Sequence, residues 1–150
     1  MVVGRVRLIA TVLLDRIVKT VYNTVMLPVV QGQIGLVNAI KDLTQVGYVV
    51  SLPIIDNQDY ALVVEINNKL CKVQVKSSSA YSKANSLIVQ IKRVRANKTK
   101  NNIYNFDNTK VDYVYIYEIN GRRWFIPAKD IIAKSSLTMT NKLDKYKMES

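Results

Sequence analysis

The sequence predicts a single α/β domain in which helices pack against a mixed central sheet. Residues 32–46 have the spacing of an amphipathic helix, with apolar side chains at Ile34, Val37, Ile40 and Leu43. Two β-rich runs, 60–66 and 70–76, are joined by a short asparagine-rich turn, and this pattern predicts a hairpin. A second hairpin is expected around the Asn120-Gly121 turn, so helix and sheet segments occur together in one chain.

The remaining elements follow from apolar runs bounded by turn residues. One strand is predicted at 48–52 and another at 86–94, and residues 98–108 are expected to form a polar loop rich in asparagine and lysine. Pro127 is expected to open a short helix. Apolar residues beyond Ser135 predict another helix at the end of the chain. The predicted order is therefore helix, strand, hairpin, strand, hairpin and helix.

The composition excludes several kinds of chemistry. The 150 residues include no histidine, which excludes mechanisms that need imidazole, such as Ser-His-Asp catalysis and His-ligated zinc. The single cysteine, Cys71, excludes an internal disulfide framework and a cysteine-cluster metal site. Carboxylates, lysines, hydroxyl groups and a hard metal ion remain available for a reaction.

The charge of the chain is strongly positive and unevenly distributed. The 22 Lys and Arg residues exceed the 11 Asp and Glu residues, which gives a net charge of +11. Residues 76–150 hold most of this excess, and residues 31–75 are slightly acidic. Such an excess predicts a polyanionic partner, with nucleic acid favoured over a membrane surface. Basic residues also keep surfaces soluble, which is the simpler interpretation of the same pattern.

Residues 1–30 are interpreted as an apolar extension or interface segment that precedes a domain of residues 31–150. Their apolar character is like that of a signal peptide, but Asp15, Arg16 and Lys19 interrupt the run and no small-residue cleavage site follows. The longest uncharged stretch contains polar residues, proline and glycine, so no membrane span is predicted. We therefore expect a cytoplasmic protein that does not bind membranes.

The segment Gln74-Val75-Lys76 is the main candidate for chemistry. In a strand, Gln74 and Lys76 share one face, and Val73 and Val75 point into the core. Many nucleases present a metal ligand and a lysine in this way, since the metal activates water and the lysine stabilises charge on the phosphate. An exposed alternating strand has the same pattern, so the spacing alone does not establish a site.

Several short segments occur in a fixed order around Gln74-Val75-Lys76, within residues 31–132. They are Gly32-Gln33-Ile34-Gly35, the run 45–53, Asp56-Asn57, the run 60–65, KVQVKSS at 72–78, Val111-Asp112-Tyr113 and Trp124-Phe125-Ile126-Pro127. This succession resembles the compact PD-(D/E)xK homing endonucleases encoded in group I introns of cyanobacterial transfer-RNA genes. The resemblance implies a restriction-endonuclease-like fold, with a mixed central sheet flanked by helices. It also implies a site-specific DNA endonuclease that uses Mg²⁺ and assembles as a tetramer.

The resemblance also assigns the catalytic positions. Gln74 matches a glutamine that this family has in place of an acidic residue, and Lys76 matches the family lysine. Leu36 stands where the family has a glutamate, and Ala61 stands where it has the aspartate that binds the metal. The resemblance therefore gives Leu36, Ala61, Gln74 and Lys76 as the catalytic positions, with two carboxylates replaced.

Asp59 is the nearest substitute for the missing aspartate. It lies two residues before Ala61, on the same face of an ideal strand and roughly 6–7 Å away. Asp59 and Gln74 are thus the candidate metal ligands, and Asp56 and Glu65 are less well placed. Alternatively, Ala61 is a deliberate substitution that traps a DNA complex, or the chain is a natural relative that binds DNA or RNA without cutting it.

A basic run at 92–100 is the candidate surface for double-stranded DNA. Its charges could reach several phosphates at once, although a solvated loop has the same composition. A domain of this size covers little duplex, so a homo-oligomer is expected. The predicted DNA contacts are Lys92, Arg93, Arg95, Lys98 and Lys100, with Arg122 and Arg123 at the tip of the second hairpin.

Overall fold

The computed structural model of the protein describes Leu13 and residues 27–55, 57–96 and 99–149. Most of the predicted extension 1–30 lies outside these residues and stays a prediction. None of the helices within the described ranges is long and apolar enough to cross a membrane. After helix α1 (Pro28–Gln45), the described residues form ten strands: β1 (Val49–Ser51), β2 (Leu62–Ile66), β3 (Lys69–Ser78), β4 (Ala80–Tyr81), β5 (Leu87–Gln90), β6 (Arg93–Ala96), β7 (Asn101–Tyr104), β8 (Tyr113–Glu118), β9 (Arg123–Pro127) and β10 (Ser136–Thr138).

A mixed five-stranded sheet forms the centre of residues 31–149, which confirms the predicted fold class. Its strand order is β1-β2-β3-β8-β9, and only the central pair β3–β8 is parallel. Asn67 and Asn68 both have positive φ, 51° and 61°, as a two-residue turn of type I′ between β2 and β3 requires. Gly121, with φ of 107°, closes the hairpin between β8 and β9. Both predicted hairpins are therefore present.

The segments after β3 differ from the predictions in three places. The predicted strand 86–94 is divided into β5 and β6, because the amides of Ile91 and Lys92 both donate to the Ser135 carbonyl and the chain turns there. The predicted polar loop contains β7, which pairs with β6 to form a ribbon. The expected C-terminal helix is wrong: strand β10 pairs with β5, and a short 3-10 helix, Asn141–Tyr146, follows it.

Two apolar clusters cover the opposite faces of the central sheet. The helix-side cluster lies between α1 and the sheet, and its fully buried members are Ala39, Leu43, Leu62, Val64, Val73 and Tyr115. The outer cluster contains Val114 and Ile116 of β8 together with β5, Trp124 and Phe106. Tyr113 and Tyr117 also pack against the helix-side cluster, as their alternation with Tyr115 predicts.

The buried face of α1 differs from the predicted apolar stripe. Val37 is 64% exposed, and the buried helix residues are Gly35, Ala39, Asp42 and Leu43. The Asp42 carboxylate accepts hydrogen bonds from the Tyr115 hydroxyl at 2.5 Å and from the Arg123 guanidinium at 3.0 Å. The helix is therefore rotated toward the sheet by a buried polar contact that periodicity alone does not show.

Gly35→Ala is expected to destabilise the protein by about 1–3 kcal/mol, because a Cβ at this position would overpack the helix–sheet contact. That Cβ would lie 3.0 Å from the Ser77 Cβ and 3.3 Å from its hydroxyl oxygen. Gly32→Ala is the matched control: no heavy atom lies within 4 Å of a Cβ there, and the change should stabilise the helix by about 0.5–1 kcal/mol. Urea unfolding measures the free energy of unfolding of both variants. Equal changes in Gly35→Ala and Gly32→Ala would contradict the close contact at Ser77.

Candidate active site

Strand β3 directs Gln74 and Lys76 away from α1. Its alternate residues Val73 and Val75 pack in the helix-side cluster, so the Gln74 side chain faces the other side of the sheet. There it lines an open cleft of about 530 Å³. The charged side chains that line the same cleft are Asp59, Arg93, Asp107, Lys110 and Lys134.

Gln74 provides an oxygen that has no partner. Its Oε1 is buried, and no donor in the described part of the chain bonds to it. An unsatisfied buried acceptor costs about 1–3 kcal/mol, so such atoms are rare and often belong to binding sites. Its presence in a cleft beside an acidic residue fits the binding of a cation or a hydrogen-bond donor.

Asp59 supplies one of the two carboxylates that line the cleft, and two cationic side chains contact it. Its Oδ1 lies 2.9 Å from Nη2 of Arg93, and its Oδ2 lies 3.7 Å from Nζ of Lys110. Within the described ranges, no group of three acidic or other metal-binding side chains comes together. Mg²⁺ commonly takes only one or two carboxylates and completes its shell with water and substrate phosphates. The Asp59 carboxylate and the Gln74 oxygen are therefore compatible in chemistry with a hard divalent cation that takes few protein ligands.

Lys76 lies farther along β3 in a largely buried position. Its ammonium group donates to the Lys92 carbonyl oxygen at 3.2 Å. Burial and, to a smaller degree, the nearby Arg93 charge lower the pKa of Lys76. A cation held at a site where its charge is unfavourable gains the most when an anion, such as a phosphate, arrives beside it.

Leu36 and Ala61 lie away from this cleft. Both pack against the helix-side cluster, and neither lines the cleft with Gln74. The Ala61 amide donates to the Val73 carbonyl at 2.9 Å, although Leu62 is already the register partner of Val73. Two residues thus oppose one, as in a β-bulge, and such a bulge re-aims side chains. The expectation that Asp59 and Ala61 share a face is therefore wrong.

Ala61→Asp is expected to destabilise the protein by about 1–3 kcal/mol and to leave the cleft chemistry unchanged, because the new carboxylate would enter the helix-side cluster. Thermal unfolding and a plasmid-cleavage assay measure the two effects. Ala61→Ser is the control for a small polar side chain without charge. A stable Ala61→Asp variant with higher cleavage activity would contradict this placement.

The β6–β7 ribbon holds two of the predicted DNA-binding arginines. Arg93 donates to the Gln58 carbonyl at 2.8 Å and lies over the Tyr104 ring, and Arg95 donates to the Asn57 carbonyl at 2.7 Å. Lys92 is half-buried, Lys100 is exposed and Lys98 lies outside the described residues. Lys134 also reaches the cleft, although no sequence pattern singles it out because it lies in a connecting segment.

The two arginines at the second hairpin both pair with carboxylates of the protein itself. Arg122 makes two hydrogen bonds to the Glu118 carboxylate, at 2.5 and 2.7 Å, and Glu118 is only 1% exposed. This contact raises the pKa of Arg122. Arg123 pairs with the buried Asp42. Both charges are thus paired with buried carboxylates, and a contact of either arginine with DNA stays a prediction.

Comparison with known proteins places the whole site within one family. Residues 28–149 match the family model described as PD-(D/E)XK endonuclease. Among solved structures, the chain is similar to a bacterial homing endonuclease, I-Ssp6803I, with a TM-score of 0.64 and 26% identity over 74% of this chain and 76% of that one. No similar sequence was found among curated proteins. The family match includes every residue of the cleft.

Proposed function

Because the chain belongs to the PD-(D/E)XK endonuclease family, we propose that it is a site-specific DNA endonuclease of the homing type. The structural likeness to a homing endonuclease supports this class of substrate and reaction. The observation that carries the proposal is the unpartnered Gln74 oxygen, which shares a cleft with Asp59 on the strand face that also presents Lys76. A carboxylate and an amide oxygen that hold a metal ion, together with a nearby lysine, can serve metal-assisted hydrolysis of a phosphodiester bond.

Each residue has a distinct role in this proposal. Asp59 and Gln74 would hold Mg²⁺ through oxygen atoms, which suit this ion. Bound there, the ion would activate the attacking water and shield charge on the phosphate. The buried Lys76 ammonium would stabilise the negative charge that develops on the phosphate oxygens during the reaction.

The β6–β7 ribbon would hold the DNA backbone. Lys100 is exposed immediately before β7, Arg95 lies on β6 and Arg93 lines the cleft, so phosphate contacts along the ribbon would bring the duplex to Asp59. A homo-oligomer is part of the proposal because one domain covers only a short duplex. Light scattering on the purified protein tests the oligomeric state.

A second candidate function is DNA binding without cleavage. It is favoured by the contacts of Asp59 with Arg93 and Lys110, which neutralise the carboxylate in the cleft. The absence of carboxylates at Leu36 and Ala61 points the same way. In this case the cleft would serve as a positively charged surface that binds the phosphate backbone of DNA.

A cleavage assay on a supercoiled plasmid library tests the two functions. The protein should cut with Mg²⁺ and not with EDTA, and Asp59→Asn should lose cleavage. Asp107→Asn is the matched control, since Asp107 lines the same cleft but is bonded to Thr109 and should not be needed. DNA binding without cutting under any condition would favour the second function. Failure to bind DNA at all would overturn both.

A further inference from the structure

The side chain of Arg93 connects the β6–β7 ribbon, the proposed DNA-binding surface, to Asp59 in the cleft. Its guanidinium contacts the Asp59 carboxylate at 2.9 Å and the Gln58 carbonyl at 2.8 Å, and it lies 5.1 Å from the centre of the Tyr104 ring. The Arg93 side chain is 26% exposed. A duplex that reaches the cleft from the ribbon would therefore meet the same guanidinium that neutralises Asp59.

Two buried polar atoms in the cleft, one on Arg93 and one on Gln74, have no hydrogen-bond partner among the described residues. Nε of Arg93 is buried, and no acceptor within the described ranges bonds to it. Gln74 Oε1, in the same cleft, also has no partner among those residues. The cleft thus contains one donor and one acceptor that the protein itself leaves unsatisfied. Two such groups are explained together if the cleft takes up an anion at Arg93 and a cation at Gln74.

An arginine and a divalent ion compete for one carboxylate. The positive charges of Arg93 and Lys110 oppose the approach of a cation to Asp59 in the free protein. A phosphate diester is a strong alternative partner for guanidinium, because it offers oxygen acceptors in a geometry that arginine binds with two hydrogen bonds. Exchange of Asp59 for a phosphate would keep Arg93 paired and would leave the carboxylate with only its longer contact to Lys110, at 3.7 Å.

Building on the proposed function, we propose that Arg93 masks Asp59 in the free protein, and that a DNA backbone phosphate takes over Arg93 and releases Asp59 to act with Gln74. Divalent ion and DNA then bind cooperatively, each raising the affinity for the other by the same factor. Arg93 is in this sense a positioning residue, since it acts through Asp59. The consequence is a cleft that binds its cation more tightly when a substrate is present.

The coupling can be measured without any cleavage. Fluorescence anisotropy with a labelled pool of random-sequence duplexes gives the DNA affinity in Ca²⁺ and in EDTA at constant ionic strength. Calorimetric titration with Ca²⁺, with and without the duplex pool, gives the reciprocal quantity. We expect Ca²⁺ and DNA to raise each other's affinity by about tenfold, within the usual range of coupling between two sites.

Two arginine variants separate masking from general electrostatics. Arg93→Gln should bind Ca²⁺ about tenfold more tightly than the parent in the absence of DNA, and its coupling should fall close to onefold. Arg95→Gln removes the same charge from the same strand and should weaken DNA binding, but it should keep the parental coupling because Arg95 donates to the Asn57 carbonyl and not to Asp59. Asp59→Asn provides a further check, since Ca²⁺ should not change its DNA affinity.

The possible outcomes test either the masking of Asp59 by Arg93 or the proposed function itself. The inference is overturned if the parent binds DNA but shows no coupling, or if Arg93→Gln keeps full coupling. Loss of coupling in Arg95→Gln to the same extent as in Arg93→Gln also contradicts it, since a simple charge effect would then suffice. If Arg93→Gln does not fold, a calcium effect that persists in Asp59→Asn overturns it. If the parent binds no DNA, the proposed function fails first and this inference fails with it.

Discussion

Lys76→Met is expected to lower the rate of DNA cleavage by about 100-fold or more, because removing a preorganised cation from the reacting phosphate has effects of this size. DNA affinity should change far less, since Lys76 is largely buried and the ribbon is proposed to make the contacts with the DNA backbone. A plasmid-cleavage assay and fluorescence anisotropy measure the two quantities. Lys72→Met is the matched control: Lys72 lies on the same strand, is exposed and loses the same charge.

The stability of Lys76→Met should move in the opposite direction. Burial lowers the pKa of Lys76, so the unfolded chain holds this proton more tightly than the folded protein does. The resulting penalty is fully present below the folded pKa and disappears as the pH rises toward the unfolded pKa. Methionine keeps the apolar stem without the charge and should be at least as stable as lysine at neutral pH. A less stable variant with unchanged cleavage would contradict the assigned role.

Asp42→Ala is expected to destabilise the protein by about 3–5 kcal/mol, because it leaves a buried arginine without its counter-ion. Asp42 is 5% exposed, and it pairs with Arg123 at 3.0 Å and with the Tyr115 hydroxyl at 2.5 Å. Burial and, to a smaller degree, the hydrogen bond to this carboxylate raise the pKa of Tyr115. Urea unfolding monitored by circular dichroism gives the change in free energy.

Two controls divide this effect into its parts. Tyr115→Phe removes one hydrogen bond and keeps the ion pair, so it should cost about 1–3 kcal/mol. Lys41 contacts the same carboxylate from an exposed position at 3.8 Å, and Lys41→Ala should change stability by less than about 1 kcal/mol. An Asp42→Ala variant that loses no more stability than Lys41→Ala would show that Arg123 finds another partner.

Periodicity and turn chemistry were sufficient to predict much of the fold. Alternation in β3 correctly places Gln74 opposite Val73, because a strand has only two faces. Asn67-Asn68 and Asn120-Gly121 mark both hairpins, since few residues tolerate positive φ. The mixed character of the sheet also follows from the order of the elements.

The remaining features depend on contacts between distant residues. The C-terminal segment forms a strand because Leu137 pairs with Val89 of β5, and neither residue shows this in its own neighbourhood. The bulge at Ala61 and the ion pair of Arg123 arise only when β3, β9 and α1 meet. The sequence therefore indicates candidate metal ligands more readily than the side chains that contact them. Asp59 is the clearest case, since its ion pairs with Arg93 and Lys110 join residues that are far apart in the chain.

The parallel pairing of β3 with β8 also bears on how the chain is made. Val73 pairs with Leu62 nearby but with Tyr113 far along the sequence, so one edge of β3 has no partner until β8 has been synthesised. An open edge in a nascent chain is a site of intermolecular strand pairing. Lys69, Lys72 and Lys76 occur along this strand, and their charges would discourage two emerging chains from associating there.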